Sequence, residues 1–281
     1  MRIQQQNNVT PYYPGGTVIV NFPLGVTYEQ IKVQLTGGLT CEQIEQARLK
    51  VNGKAVWTVA GGDQKNQNLY DGKTNDDFTF WLDFTQQNAK SSSANGRPTS
   101  QAAEMLVACY PSNLFQSFTL ELDIASTAPA VGVGGVTVYT TENDPTTNQF
   151  VLKQLFANYN FQAAQKNDIA LPVKQSGGII KQMFMHQSNY GVAGAGSISN
   201  IEVFNQGVTI FEATPAQLAA VQTQYGKVQE AGLTVIDFYL QGLREKMLNT
   251  TQSNNVFVRL TTTGGPVLLT GYTRLLDPAG R

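Results

Sequence analysis

The chain has 281 residues, 41% of them hydrophobic, and a formal net charge of −1. That length accommodates two domains of common size, and the near-neutral balance excludes a basic field able to hold nucleic acid by counterion release. Charged residues amount to only 14%, against roughly 25% in an ordinary soluble domain, so a surface poor in like charges suits packing against copies of itself.

Residues 1–14, MRIQQQNNVTPYYP, read as a flexible N-terminal arm anchored by Tyr12 and Tyr13. The opening lacks the apolar segment of a signal peptide, and no run approaches the roughly 20 apolar residues of a membrane span. The expectation is a soluble protein made in the cytoplasm. Period-two alternation then dominates. Thr17–Leu24, Glu29–Leu35 and Arg48–Val51 read as strands. Asn52-Gly53 signals a two-residue hairpin, because both central residues of a type I′ turn need positive φ. Ala55–Val59 returns, and Phe78–Phe84, Glu104–Cys109, Phe115–Ile124 and Val133–Thr140 complete about eight strands. Gly61–Tyr70 reads as a weakly periodic helix with Asp63 as its cap, and Gln86–Ser100 as a long polar loop with no packing face. Residues 146–166 carry Phe150, Leu152, Leu155 and Phe156, which a free linker would leave exposed; they read as an interdomain helix or an extended connector that packs down.

The second half repeats the order: Asp168–Val173, Ile179–His186, Ile201–Phe204, Val208–Glu212, Leu233–Leu240, a short Met247–Leu248, Asn255–Thr261 and Val267–Tyr272. Thr214 as N-cap and Pro215 at the first helical position mark a helix with Leu218, Val221 and Tyr225 on one face. Laid over residues 206–238, residues 52–84 match Gly53 to Gly207, Gly72 to Gly226, Lys73 to Lys227, Asp83 to Asp237 and Phe84 to Phe238, a constant shift of 154. Upstream the shift is 149, with Pro23 on Pro172 and Ile31-Lys32 on Ile180-Lys181; downstream it is 130, with Gly134-Gly135 on Gly264-Gly265. A unit this long is a duplicated domain, since solenoid repeats run to 20–50 residues at most. The expected fold is all-β: two tandem eight-stranded antiparallel jelly rolls, with a few short helices. The arm spans 1–14, the first jelly roll 15–145, the connector 146–166 and the second jelly roll 167–281.

Residues capable of chemistry are scarce. His186 is the single histidine, which rules out metal sites built from several imidazoles, and it reads as a strand-end or surface residue. Gly194-Ala195-Gly196-Ser197 is not a nucleophile elbow. Asp83 and Asp237 recur at matching positions, where a carboxylate bonded to a neighbouring loop or cation is preferred over a glycosidase-like pair. Asp71, Asp76 and Asp77 crowd one loop and could ligate calcium, although solvated turn acids are the better reading. Gly132-Val133-Gly134-Gly135 lacks the Lys-Ser/Thr of a P-loop and reads as a turn. Cys41 and Cys109 read as reduced, partly buried thiols. No catalytic, cofactor-binding or metal-binding residue is assigned.

Two jelly-roll-like halves without catalytic groups resemble the double jelly-roll major capsid proteins of tailless, membrane-containing icosahedral viruses, of the corticovirus and tectivirus lineage. The residues carrying the resemblance are Gly15–Gly25 (GGTVIVNFPLG), Tyr28–Ile31, Ile44–Val51 running into Asn52-Gly53, and Ala170–Val173 in the second half. The resemblance implies a homotrimer presenting six similar units, a pseudo-hexagonal tile of a capsid lattice. It also implies strands roughly perpendicular to the shell, contact with penton proteins, membrane proteins and an internal membrane, no sequence-specific nucleic acid, no cofactor, and location in the virion. The arm and Arg274–Arg281 are then the adaptable pieces that tie neighbours, so deleting residues 1–12 is expected to spare trimers and impair shells. The loops are shorter than in larger members with tall towers, so receptor recognition is not expected of this chain. The competing readings are a lectin-like or receptor-binding spike and a peptide-N-glycosidase-like hydrolase.

Overall fold

Alternation of apolar, often β-branched residues with polar ones makes strands of most segments. The structure, a computed structural model, describes residues 1–73, 76–91, 99–147, 150–162, 164–174 and 177–278. The first half holds β1 (Arg2–Gln5), β2 (Thr17–Asn21), β3 (Thr27–Thr36), β4 (Ile44–Val51), β5 (Lys54–Val59), α1 (Gly61–Tyr70), β6 (Thr79–Asp83), α2 (Gln101–Leu106), β7 (Tyr110–Pro111), β8 (Phe118–Ile124) and β9 (Gly135–Asn143). The second holds β10 (Phe150–Phe161), β11 (Lys166–Ala170), β12 (Ile179–Gln187), β13 (Ser197–Asn205), β14 (Val208–Ala213), α3 (Pro215–Gln224), β15 (Leu233–Asp237), β16 (Leu248–Asn249), β17 (Val256–Thr263) and β18 (Val267–Pro278).

Two compact units result, Met1–Leu155 with Pro278 and Phe156–Asp277. In the first, one sheet runs β1-β9-β3-β6 with β7 against β3, and its partner runs β2-β8-β4-β5. Val18, Val20, Ile31, Val33, Leu49, Leu120, Leu122 and Val138 are fully buried in this unit. In the second, the orders are β10-β18-β12-β15, with β16 against β12, and β11-β17-β13-β14. Its core gathers Ile169, Ile180, Met183, Ile201, Val203, Ile236, Val258 and Leu260. Each second-half strand therefore occupies the place of the strand nine positions earlier. β10 straddles the division: Gln154 pairs in parallel with Trp57 of β5 in the first unit, and the strand continues into the second, where it is bonded to β18.

The duplication extends to irregularities. Ladder bulges fall at Tyr28/Gln30 and Ile180/Gln182, at Ile44/Gln46 and Ile198/Asn200, and at Leu49/Lys50 and Val203/Phe204. A bulge is a local kink that re-aims a strand, so its recurrence at three equivalent places means that both sheets bend alike. The hairpins match as well. Asn52 and Gly53 have φ of 51° and 78°, Gln206 and Gly207 of 51° and 82°, as a type I′ turn needs.

Several expectations are corrected. The arm 1–14 is not free: β1 pairs with β9, and Arg2 bonds the buried Glu142 at 2.5 Å while Gln6 reaches Thr140 at 2.6 Å. The connector takes the extended form, and as β10 it is the first strand of the second sandwich. Glu104–Cys109 is not a strand; Ser100 accepts a bond from Ala103 N at 3.2 Å and caps α2. Each half therefore holds nine strands where eight were read: the first gains β1 and β7 and loses the one expected at 104–109, and the second gains β10. Ala60 occupies the N-cap position of α1 without a side-chain bond, and Asp63 lies within its first turn. Of the face foreseen on α3, Leu218 packs on the core, whereas Val221 and Tyr225 are each 46% exposed. Register corrects two offsets: Gln30 and Gln182 occupy equivalent places, a shift of 152, and Thr141 and Arg274 a shift of 133. The shift of 149 holds for β2 and β11. Within the loop 86–100, Gln86 and Ala89 are buried, while 92–98 lie outside the described residues, as do 279–281 of the C-terminal piece.

Candidate functional site

The recurring aspartates are structural. Gln30 Nε2 donates to Asp83 Oδ2 at 3.1 Å, and Gln182 Nε2 to Asp237 Oδ2 at 2.8 Å. The other oxygen of each accepts a backbone N–H two residues on, from Thr85 and Tyr239, both at 2.9 Å. Each carboxylate therefore ties its strand to its partner and turns the following chain. Lys73 adds an ion pair to Asp83 at 2.6 Å and lies 5.5 Å from the Trp81 ring.

Two further pairs went unnoticed in the sequence. Asn68 exchanges bonds with the backbone of Trp81, at 2.9 and 2.7 Å, and Gln222 donates to Val235 O at 2.7 Å. These amides bind α1 to β6 and α3 to β15, covering strand edges that would otherwise be open. Both pairs obey the 154 shift, which was the available signal. Ser112 Oγ accepts from Val26 N at 3.1 Å and donates to Val26 O at 2.6 Å; Thr250 Oγ1 makes the same two bonds to Gly178, each at 3.1 Å. This match needs a shift of 138, concealed by the longer β6–β7 connection of the first half.

Other candidates resolve as follows. His186 is buried on β12, its ring edge-on to Tyr272 at 5.5 Å, so the surface placement is corrected. Asp76 Oδ1 accepts from Phe78 N at 2.9 Å and Asp77 Oδ1 from Lys65 at 2.8 Å, as turn acids do. Among the described residues no three of His, Cys, Asp and Glu converge as metal ligands would. Cys41 and Cys109 are fully buried thiols outside any disulfide, and burial pushes the Cys41 thiol up to about 12 and the Cys109 thiol upward as well. Gly132 (φ 85°) turns the chain into β9, where Val133 O approaches so closely that a Cβ on Gly37 would lie 1.5 Å from it. Ser197 Oγ lies 3.2 Å from Thr263 Oγ1, a pairing across two strands.

The two copies differ chiefly at their surfaces. In the first, Gly61 lets α1 press onto Cys41 and Ile44, and Gly62 leaves room for the Glu42 carboxylate. In the second, Pro215 and Ala216 stand there instead, and a cavity of about 300 Å³ opens beneath α3, lined by Gln187, Tyr190, Leu218, Gln222 and Val235. A groove of about 510 Å³ runs along the outer face of β1-β9-β3-β6, past Ile3, Lys32, Trp81 and Tyr139. The second copy's β14 leaves Val208 64% and Ile210 47% exposed. What this arrangement offers is contact surface.

Family models for the viral coat protein P2 N-terminal and C-terminal domains match residues 3–140 and 151–268. No curated protein matches by sequence. Among solved structures, the major capsid protein P2 from bacteriophage PM2 superimposes with a TM-score of 0.83 at 16% identity, covering 99% of this chain and 98% of that one. A chain from the atomic structure of Sulfolobus turreted icosahedral virus gives 0.69 at 14% identity, covering 99% and 91%. The Faustovirus major capsid protein gives 0.56 at 7% identity, covering 98% and 89%. At such identities the likeness carries the fold, and the double jelly roll expected from the strand pattern is what it carries.

Proposed function

The chain belongs to the viral coat protein P2 family and so is a coat protein of a virion shell; on that premise we propose that it forms homotrimers which tile an icosahedral capsid. The observation that carries this reading is the strand-for-strand repetition of one sandwich within one polypeptide. A subunit with two like domains offers two like sets of edges and faces. Three such subunits make a ring of six similar units, and a pseudo-hexagonal tile covers a flat facet with one repeated contact. In this reading the first jelly roll occupies residues 15–145 with the strand β1 added to it, and the second 167–281 with β10 added.

The protein acts as a structural component with no catalytic step: the aspartates that recur serve turns and strand pairing. Its partners are further copies of itself, penton and membrane proteins of the virion, and an internal membrane beneath the shell, with the strands standing roughly perpendicular to that shell. Expression of the chain alone, followed by sizing and electron microscopy, tests the reading. Stable trimers that assemble into sheets or hollow particles are expected; a monomer at every concentration would contradict it, and discrete trimers that never associate would favour a spike.

A further inference from the structure

An open strand edge is a template for another chain, and most edges here are covered. β6 and β15 are closed by the amides of α1 and α3. β2 is closed by residues 8–10, through Thr10 N to Ile19 O at 2.9 Å and Asn21 N to Asn8 O at 3.1 Å. β11 is short and charged, with Asp168 held by Arg259 at 2.7 Å. β5 is closed by the parallel pairing with β10 at Gln154 and Trp57, and beside that pairing Val56 is 6% exposed.

The repeat makes β14 the counterpart of β5, and β1 the counterpart of β10. Among the described residues β14 has a partner only in β13, and β1 only in β9. The side of β1 that is open corresponds to the side by which β10 joins β5, since β10 lies between β18 and β5. Each open edge carries exposed apolar side chains: Ile3 is 67% exposed and Met1 84%, facing the groove along the outer sheet, and Val208 and Ile210 are 64% and 47% exposed. At the closed edge the positions equivalent to Ile210 and Phe211 are Val56 and Trp57, both buried.

We propose that β1 of one subunit adds in parallel to β14 of the next, repeating between chains the β10–β5 pairing made within one. The occupant is a second copy of this chain, and the contact is head-to-tail, so it propagates around a ring until the ring closes. This rests on the coat-protein reading and names its subunit contact. It also reverses one expectation: removing residues 1–12 deletes an interface strand and should cost the trimer itself.

Two measurements on the full chain test it. Ile210→Asp places a charge in the buried seam, and should raise the concentration needed for half-assembly at least about tenfold by sedimentation, with the urea midpoint of the monomer unchanged. Mixed Ile3→Cys and Ile210→Cys chains, one carrying an affinity tag, should yield a disulfide-linked heterodimer under mild oxidation. Wild-type trimers accompanied by undiminished Ile210→Asp trimers, or by Ile3–Ile3 links alone, would overturn the pairing and leave the coat-protein reading standing. A wild type that stays monomeric would overturn both.

Discussion

Replacing Thr250 by Val should destabilise the second unit by about 2–3 kcal/mol, from one net hydrogen bond plus an orphaned buried donor. Thr250 is fully buried, and its hydroxyl accepts from Gly178 N and donates to Gly178 O, each at 3.1 Å. The Gly178 carbonyl keeps the donor it already has in the backbone N–H of residue 250, 3.0 Å away, so the loss falls on the Gly178 amide. Thr250→Ser keeps both bonds and should cost about 1 kcal/mol or less for the lost methyl group. The matching change, Ser112→Ala, strips Val26 N, which is only partly buried and can recover water, so about 1–2 kcal/mol is expected there. Urea unfolding separates the copies, because Trp57 and Trp81 are the two tryptophans and both lie in the first unit. At a slope of about 2 kcal/mol per molar urea, Thr250→Val should lower the tryptophan-independent transition, followed by circular dichroism, by about 1 M. Amide exchange at Gly178 should accelerate in parallel. A midpoint for Thr250→Val no lower than that for Thr250→Ser would refute the reasoning.

Thiol reagents at pH 8 should leave Cys41 and Cys109 unlabelled until urea unfolds the chain. For Cys41 the folded pKa is raised to about 12 from the ordinary 9.0, so its linked stability is intact below about pH 9 and declines as pH rises towards 12; a plateau in stability across that window would contradict it. Gln206 holds positive φ at a turn position where Asn is preferred, so Gln206→Asn should raise stability by about 0.5 kcal/mol in the same urea assay. Asp168→Asn should cost less than about 1 kcal/mol, because its pair with Arg259 is largely exposed. The Arg259 bond lowers the Asp168 pKa, so what the pair contributes is present above the ordinary carboxylate range and fades as pH falls through it, a loss that Asp168→Asn should abolish in an acid titration.

Local chemistry strong enough to act alone was legible in the sequence. Asn52-Gly53, Thr214-Pro215 and the Asp83/Asp237 match each specify backbone geometry within a few residues, and each stands where expected. The first strand of each sandwich was not legible. β1 offers one apolar residue in Arg-Ile-Gln-Gln and is held by polar bonds from Glu142 and Thr140, 134 or more positions away. β10 shows no alternation at its start because Val151, Leu152, Lys153 and Gln154 are buried in succession, so both faces are covered. At 104–109 a capped helix was misread because its apolar residues are too few to display a period. The surface asymmetry between α1 and α3 depends on Gly61 and Gly62 against Pro215 and Ala216, which acquire meaning only once the helices are packed.

The central proposition is that one sandwich, written twice, lets three chains present six like units. Class averages of the purified assembly by electron microscopy measure this directly. Six lobes of similar size in a ring of threefold symmetry, with a mass of about three times the 30.6 kDa chain, are expected; a ring with another number of lobes, or isolated two-lobed particles at every concentration, would contradict it.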